Sequence, residues 1–87
     1  MRMCYIKVLK VFFHRELCMR RAEMGISQED MAHILAMSWR SYNDLDQGKT
    51  GCCALTLSLY LIYVCEDPIR FLEDLRHEFE MALMETA

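Results

Sequence analysis

The segment that most constrains the fold runs from Gly25 to Lys49, with the sequence GISQEDMAHILAMSWRSYNDLDQGK. A glycine closes a helix well because it has no Cβ and adopts the left-handed conformation without strain. A serine just before a helix caps it, because the hydroxyl accepts a hydrogen bond from a free backbone N–H. Ser27 follows the first glycine, and Ser38 lies about midway to the second. The segment therefore predicts two short helices joined by a turn at residues 36–38.

Each of these two helices has one apolar side. Met31, Ile34 and Leu35 share a face of the first helix at three- and four-residue spacing, and Tyr42 and Leu45 share a face of the second. We expect these side chains to point into a core. The second helix, over residues 38–47, then has an outward face formed by Trp39, Arg40, Asn43 and Asp44.

A further helix is expected before this segment. Apolar residues step by three and four and predict a helix from about Val8 to Gly25: Ile6, Leu9, Phe13, Leu17 and Met24. The stretch Met3–Val11 also alternates and is rich in β-branched and aromatic residues. A short N-terminal strand or arm therefore stays open as an alternative for those residues.

Two more helices are expected after the segment. The run Cys52–Val64 is apolar on nearly every face, which predicts a buried helix surrounded by other helices. Asp67 followed by Pro68 is a cap followed by a residue suited to the first helical position. The last helix is expected over residues 68–84, with an apolar stripe that includes Leu72, Leu75, Phe79 and Leu83.

Length and composition indicate one all-α domain over residues 1–87. The chain is long enough for one core but not for two, and 54% of its residues are hydrophobic. The run Cys52–Val64 is shorter than the roughly 17 to 25 residues that cross a membrane. Lys7 and Lys10 interrupt the apolar N-terminus, which argues against a signal peptide. A cytoplasmic protein is expected.

The cysteines and the catalytic residue types indicate no enzyme and no cofactor. The five cysteines include no CxxC pair, so neither a disulfide framework nor a zinc site is expected. The adjacent Cys52 and Cys53 are expected to be small buried hydrophobes, with sensing of oxidants or a soft metal as the alternative. No Ser-His-Asp, paired-carboxylate or glycine-rich phosphate motif stands out.

Charge is distributed unevenly along the chain, whose net charge is −3. Residues 1–25 hold six Lys or Arg against two acids, residues 26–49 two against four, and residues 50–87 two against seven. The basic end can face phosphate, while the acidic last helix is expected to face away from it.

From Leu17 to Val64 the sequence resembles the Cro and C1 repressor type of helix-turn-helix, also called the XRE family. The resemblance rests on an arginine near the end of helix 1 and on a spaced set of residues after it: Arg21, Gly25, Ile26, Ser27, Gln28, Glu29, Met31, Ala32, Ile34, Leu35, Ser38, Ser41, Tyr42, Leu45, Gly48 and Lys49. It implies a lambda-repressor-like bundle of four or five helices, with the helix-turn-helix core at about 17–64. Three positions depart from the family pattern: Trp39, Asp46 and Cys52.

The resemblance implies that the helix over residues 38–47 reads the major groove of DNA. Arg40 is the expected base reader because its forked donors match guanine O6 and N7, with a phosphate contact as the alternative. Gln28 is expected to clamp a phosphate at a helix N-terminus, whereas Ser38 is either a phosphate contact or only a cap. The expected DNA contacts are Arg21, Gln28, Ser38, Trp39, Arg40, Ser41, Asn43, Asp44 and Lys49.

The expected function is thus a DNA-binding transcriptional regulator that binds double-stranded DNA as a homodimer. The expected dimer interface is the stripe Leu72, Leu75, Phe79 and Leu83, unless the last helix closes the core of its own chain. The alternative function is a protein-interaction module, such as an antitoxin or an antagonist of another regulator, anchored by Trp39.

Overall fold

A computed structural model describes residues 2–86, which form five α-helices and one π-helical turn, with no strand. The helices are α1 Arg2–Met24, α2 Gln28–Ile34, α3 Trp39–Asp46, α4 Ala54–Leu59 and α5 Pro68–Thr86, and the π-helical turn spans Tyr60–Val64. The expected all-α class is confirmed.

The first helix is longer than the sequence pattern predicted. It begins at Arg2 instead of about Val8, so the alternative of an N-terminal strand or arm is wrong for the described residues. The N-terminal half of α1 is held by α5, since the rings of Tyr5 and Phe79 are in edge contact with centroids 5.0 Å apart. This tertiary contact favours helix in a stretch whose composition also suits a strand.

The core lies along α1, which contacts both α5 and α3. Phe12 of α1 packs against Phe71 of α5, with ring centroids 5.1 Å apart, and Phe13 packs against Tyr60 at the same distance. Because Tyr5 lies beside Phe79 and Phe12 beside Phe71, the two long helices run in opposite directions. The buried residues of the shorter helices complete the core: Met31, Ala32, Leu35, Tyr42, Leu45 and Val64.

The last helix uses part of its expected dimer stripe within the chain. Leu75 is only 7% exposed, and Phe79 packs against the core and against Tyr5. Leu72 is 50% exposed, and Leu83 is half-buried. The stripe is therefore divided, because Leu75 and Phe79 help to close the core of a single chain, the alternative that the sequence left open.

The apolar helix after the central pair is not surrounded by other helices, which corrects the expectation for Cys52–Val64. Its described helical part begins at Ala54, and only Thr56, Tyr60 and Val64 are buried. The opposite side is open to solvent and carries Leu55, Ile62 and Tyr63. The physical reason is that α4 lies at the edge of a small bundle, so the rest of residues 2–86 packs against only one of its sides.

The π-helical turn ends this apolar helix and joins it to α1. The N–H of Cys65 donates to the carbonyl of Tyr60 at 2.7 Å, five residues back, which is the wider π pattern. Arg20 Nε donates to the carbonyl of Val64 at 2.8 Å, and the Tyr60 hydroxyl donates to the carbonyl of Glu16 at 3.5 Å. The Arg20 side chain thus satisfies a carbonyl group at the end of the π-helical turn, and the Tyr60 hydroxyl ties the same turn to the middle of α1.

Candidate functional site

Helix α3 is closed at both ends by hydrogen bonds of its own chain. At its start, Ser38 Oγ accepts from the N–H of Ser41 at 3.2 Å, so the predicted serine cap is confirmed. At its end, Gly48 has φ +73°, and the N–H of Lys49 donates to the carbonyl of Asp44 at 2.9 Å. These two caps hold the short helix in place without a ligand.

The first turn of α3 faces solvent while its later residues anchor it. Tyr42 and Leu45 are buried, whereas Arg40, Ser41 and Trp39 are exposed, the tryptophan to 53%. An indole this exposed retains a large apolar surface for a partner to cover. The arrangement presents one cation, one hydroxyl and one aromatic ring on adjacent positions of the same helix.

The other expected contact residues of α3 lie along the same element or at its ends. Asn43 Oδ1 accepts from Gln47 Nε2 at 3.3 Å, and Ser38 Oγ donates to Ser41 Oγ at 3.0 Å. Seven of the nine expected positions thus share one short stretch of chain: Ser38, Trp39, Arg40, Ser41, Asn43, Asp44 and Lys49.

The remaining two expected positions, Arg21 and Gln28, are engaged by a carboxylate inside the chain. The side chain of Asp46 is 9% exposed and accepts from Gln28 Nε2 at 2.7 Å and from the Tyr42 hydroxyl at 3.2 Å. Arg21 Nε lies 3.7 Å from Asp46 Oδ1. The carboxylate therefore links α1, α2 and α3, and a phosphate at Gln28 or Arg21 would compete with it.

The environment of Arg21 shows that this link is not a complete hydrogen-bond network. Its Nη1 donates to the carbonyl of Ile26 at 3.4 Å, but its buried Nε has no hydrogen-bond partner within the described part of the chain. An ion pair at 3.7 Å still compensates the buried charge, although less well than a hydrogen-bonded pair.

Burial keeps the protons of the other donors near Asp46 in place. The pKa of Tyr42 is raised strongly, first by burial and then by the negative charge of Asp46. The pKa of Cys18 is raised by the same two causes, and its Sγ donates to Asp46 Oδ1 at 3.6 Å. Both groups therefore remain protonated donors at neutral pH.

The adjacent cysteines lie in different surroundings, which corrects the expectation that both are buried. Cys52 is half-buried, and burial raises the pKa of its thiol. Cys53 is exposed, and a hydrogen bond with Thr56, whose Oγ1 is 3.3 Å from the sulfur, lowers its pKa. Both line a depression of about 180 Å³ between α3 and α4, together with Met37, Ser41, Asp44 and Thr56.

A larger cleft of about 500 Å³ lies between α1, the π-helical turn and α5, and it is mainly acidic. Its charged lining consists of Glu16, Glu23, Glu66, Asp67, Asp74, Arg20 and Arg70. Burial, followed by the charges of Asp74 and Glu23, raises the pKa of Glu16 against the opposing effect of Arg15. Five carboxylates against two guanidinium groups make this cleft unsuited to phosphate.

Two features of the surface around α3 were missed at the sequence level. In the sequence, Asp46 stands out only as a departure from the pattern of the family that the chain resembles, yet in the structure it joins three helices. Its position four residues after the inward-pointing Tyr42 is the signal that could have placed it near the core. The exposure of Ile62 and Tyr63 was also not predicted. A helix that is apolar on every face is fully buried only when other helices surround it, and the other four α-helices of residues 2–86 do not surround this one.

Comparison with known proteins adds no relative to this description. No protein-family model matches the chain, and no curated protein sequence or solved structure is significantly similar to it. No helix within residues 2–86 is both long and apolar enough to cross a membrane. Within the same residues, no group of three or more His, Cys, Asp or Glu side chains is arranged to hold a metal ion.

Proposed function

We propose that this chain is a sequence-specific DNA-binding transcriptional regulator with a lambda-repressor-like fold, most simply a repressor. The observation that carries the proposal is the exposed first turn of α3, where Trp39, Arg40 and Ser41 face solvent above a buried base of Tyr42 and Leu45. An α-helix with its side chains is about 10 to 12 Å across, close to the roughly 12 Å width of the B-DNA major groove.

The residues of α3 supply different kinds of DNA contact in this proposal. Arg40 reads a guanine through its two parallel N–H donors, and Trp39 packs its ring against a thymine methyl or a sugar. Lys49, just beyond the helix, and Ser41 contact backbone phosphate. Asp44 either accepts from cytosine N4 or repels phosphate when the register is wrong.

The phosphate attraction available to this surface is small. Arg15, Arg20 and Arg21 all have acidic partners within the chain: Glu78, Glu23 with Glu66, and Asp46. The cations available to phosphate in the α3 region are then Arg40 and Lys49. A pair of copies would bring about four such cations to the DNA. The logarithm of the binding constant should then fall with the logarithm of salt concentration with a slope of about −3 to −4.

The proposal is tested by selecting bound sequences from a random duplex pool and measuring affinity for the selected site by fluorescence anisotropy. We expect the Arg40→Ala variant to lose about 1 to 3 kcal/mol of binding free energy and to lose its preference at one base pair. Arg76→Ala is the matched control, because Arg76 is also an exposed arginine but lies on acidic α5. It should change affinity less than twofold. Absence of duplex binding even at low salt would contradict the proposal.

A second function is favoured first by the exposed indole of Trp39, which lies in the segment 26–49, whose net charge is −2. The engagement of Arg21 and Gln28 by Asp46 points the same way, because it removes two expected phosphate contacts. In this reading the α2–α3 pair binds another protein, as an antitoxin or an antagonist of a regulator, with Trp39 filling a pocket. The salt titration separates the two, since only DNA binding requires a steep loss with salt.

A further inference from the structure

The outer side of α4 and the π-helical turn is an apolar surface that no other helix within residues 2–86 covers. Leu55, Leu59, Ile62 and Tyr63 follow one another at four- and three-residue spacing and along one side, and we call this set the α4 face. Ile62 is 68% exposed, Leu55 and Tyr63 are exposed to a similar degree, and Leu59 is half-buried. The opposite side of the same element is anchored in the core by Tyr60.

The α4 face differs from the other exposed apolar residues in having no charged neighbours along the chain. No Asp, Glu, Lys, Arg or His occurs between Lys49 and Glu66. The exposed apolar residues of α5 alternate with exposed acids, namely Glu73, Asp74, Glu80 and Glu85. Those of α1 alternate with the cations Arg2, Lys7 and Lys10.

This difference decides which occupant suits the face. In a twofold contact each residue near the axis meets its own copy, so any charged residue there meets a like charge. The acidic side of α5 and the basic side of α1 would each repel themselves in such a contact. The α4 face contains nothing that repels itself, and it lacks the cations that a nucleic acid would need.

We propose that the α4 face is the surface through which two copies of this chain associate in a symmetric dimer. The inference deepens the proposed function and rests on it for its biological purpose, because pairing two copies would align two α3 helices on one duplex. The contact itself depends only on the exposed side chains of the α4 face.

The size of the face sets the strength of the contact. Three large residues about two-thirds exposed offer on the order of 400 Å². A standard interface buries about 800 Å² on each partner. The dimer should therefore be weak, with dissociation measurable at about 10 to 300 µM protein.

The test is sedimentation equilibrium of the full chain without DNA, so that its failure is distinct from failure to bind DNA. We expect a monomer–dimer equilibrium for the unmodified chain and at least a tenfold higher dissociation constant for Ile62→Glu. Ile69→Glu is the matched control, because Ile69 is also an isoleucine and is 71% exposed on α5. It should leave the equilibrium unchanged, and circular dichroism should show both variants folded.

A charge-pairing experiment tests the symmetry of the contact directly. Ile62→Glu and Ile62→Lys should each be monomeric alone, because each places like charges across the axis. An equimolar mixture of the two should regain association with a dissociation constant at least tenfold lower than that of either variant. A chain that stays monomeric at the highest concentration, or a dimer broken by Ile69→Glu and not by Ile62→Glu, would overturn the proposal.

Discussion

Ala36 has a positive φ of +54°, unlike every other non-glycine residue of the described chain, and replacing it by glycine should stabilise the fold. It follows α2 at the position where helices commonly end on a left-handed residue. The N–H of Ala36 donates to the carbonyl of His33 at 3.1 Å, and that of Met37 donates to the carbonyl of Ala32 at 3.0 Å. These two bonds fix the backbone of Ala36 in a conformation that a Cβ disfavours.

The size of the effect follows from two opposing free energies. The left-handed conformation costs an L-residue roughly 1 to 2 kcal/mol, which glycine does not incur. Glycine in turn gives the unfolded chain more conformational entropy, which lowers the free energy of unfolding by about 0.4 to 1 kcal/mol. Taking the middle of each range, we expect Ala36→Gly to increase the free energy of unfolding by about 0.8 kcal/mol. For a chain of this length the midpoint of thermal unfolding should rise by about 3 to 6 °C.

Gly25 provides the reverse experiment in the same chain. Its φ is +65°, and a Cβ built on it would meet no heavy atom within 4 Å. Gly25→Ala therefore changes the conformational free energy of the backbone without introducing a steric clash. It should lower the free energy of unfolding by a similar amount. Urea unfolding followed by circular dichroism measures both variants with a common slope. If Gly25→Ala destabilises while Ala36→Gly is neutral or also destabilises, the assignment of strain to Ala36 is refuted.

Two further predictions concern α5 and the acidic cleft. Leu75→Ala should lower the free energy of unfolding by about 2 to 4 kcal/mol because Leu75 is buried. Leu72→Ala, on the exposed side of α5, should lower it by less than about 1 kcal/mol. Urea unfolding measures both, and similar losses for the two variants would show that α5 does not close the core. Glu16→Gln should raise the thermal midpoint at pH 7 but not at about pH 4. The reason is that burial raises the pKa of Glu16 in the folded state above its ordinary value of 4.5. Ionisation of Glu16 therefore costs the folded state more than the unfolded state, and the free energy of unfolding falls as the pH rises from 4.5 through the folded-state pKa. A gain that is independent of pH in calorimetry would contradict this cause.

The local signals of the central pair were sufficient to predict it. The caps at Ser27 and Ser38 and the left-handed Gly25 and Gly48 all appear in the structure as expected. Pro68 also begins α5 where the sequence placed it. Capping and left-handed glycines depend on a few neighbouring residues, so they can be predicted without knowledge of the tertiary contacts.

The candidate site was only partly predictable, because its remaining features depend on contacts between distant residues. The pattern correctly separated inward Tyr42 from outward Trp39 on α3. It did not anticipate that Asp46 would engage Gln28, eighteen residues earlier in the chain, or Arg21 on α1. Those side chains have the chemistry of phosphate ligands, and only their positions in the folded chain show that a carboxylate already occupies them.

The sequence by itself determined the helical class, the α2–α3 pair with its caps, and the polar outward side of α3, because each follows from residue spacing and backbone preference. The tertiary structure decided which apolar surfaces are covered. It placed Leu75 in the core and left Ile62 in solvent, although both belong to helices with ample apolar residues. Periodicity shows that a helix has an apolar side, but the packing of the other helices decides whether that side is buried.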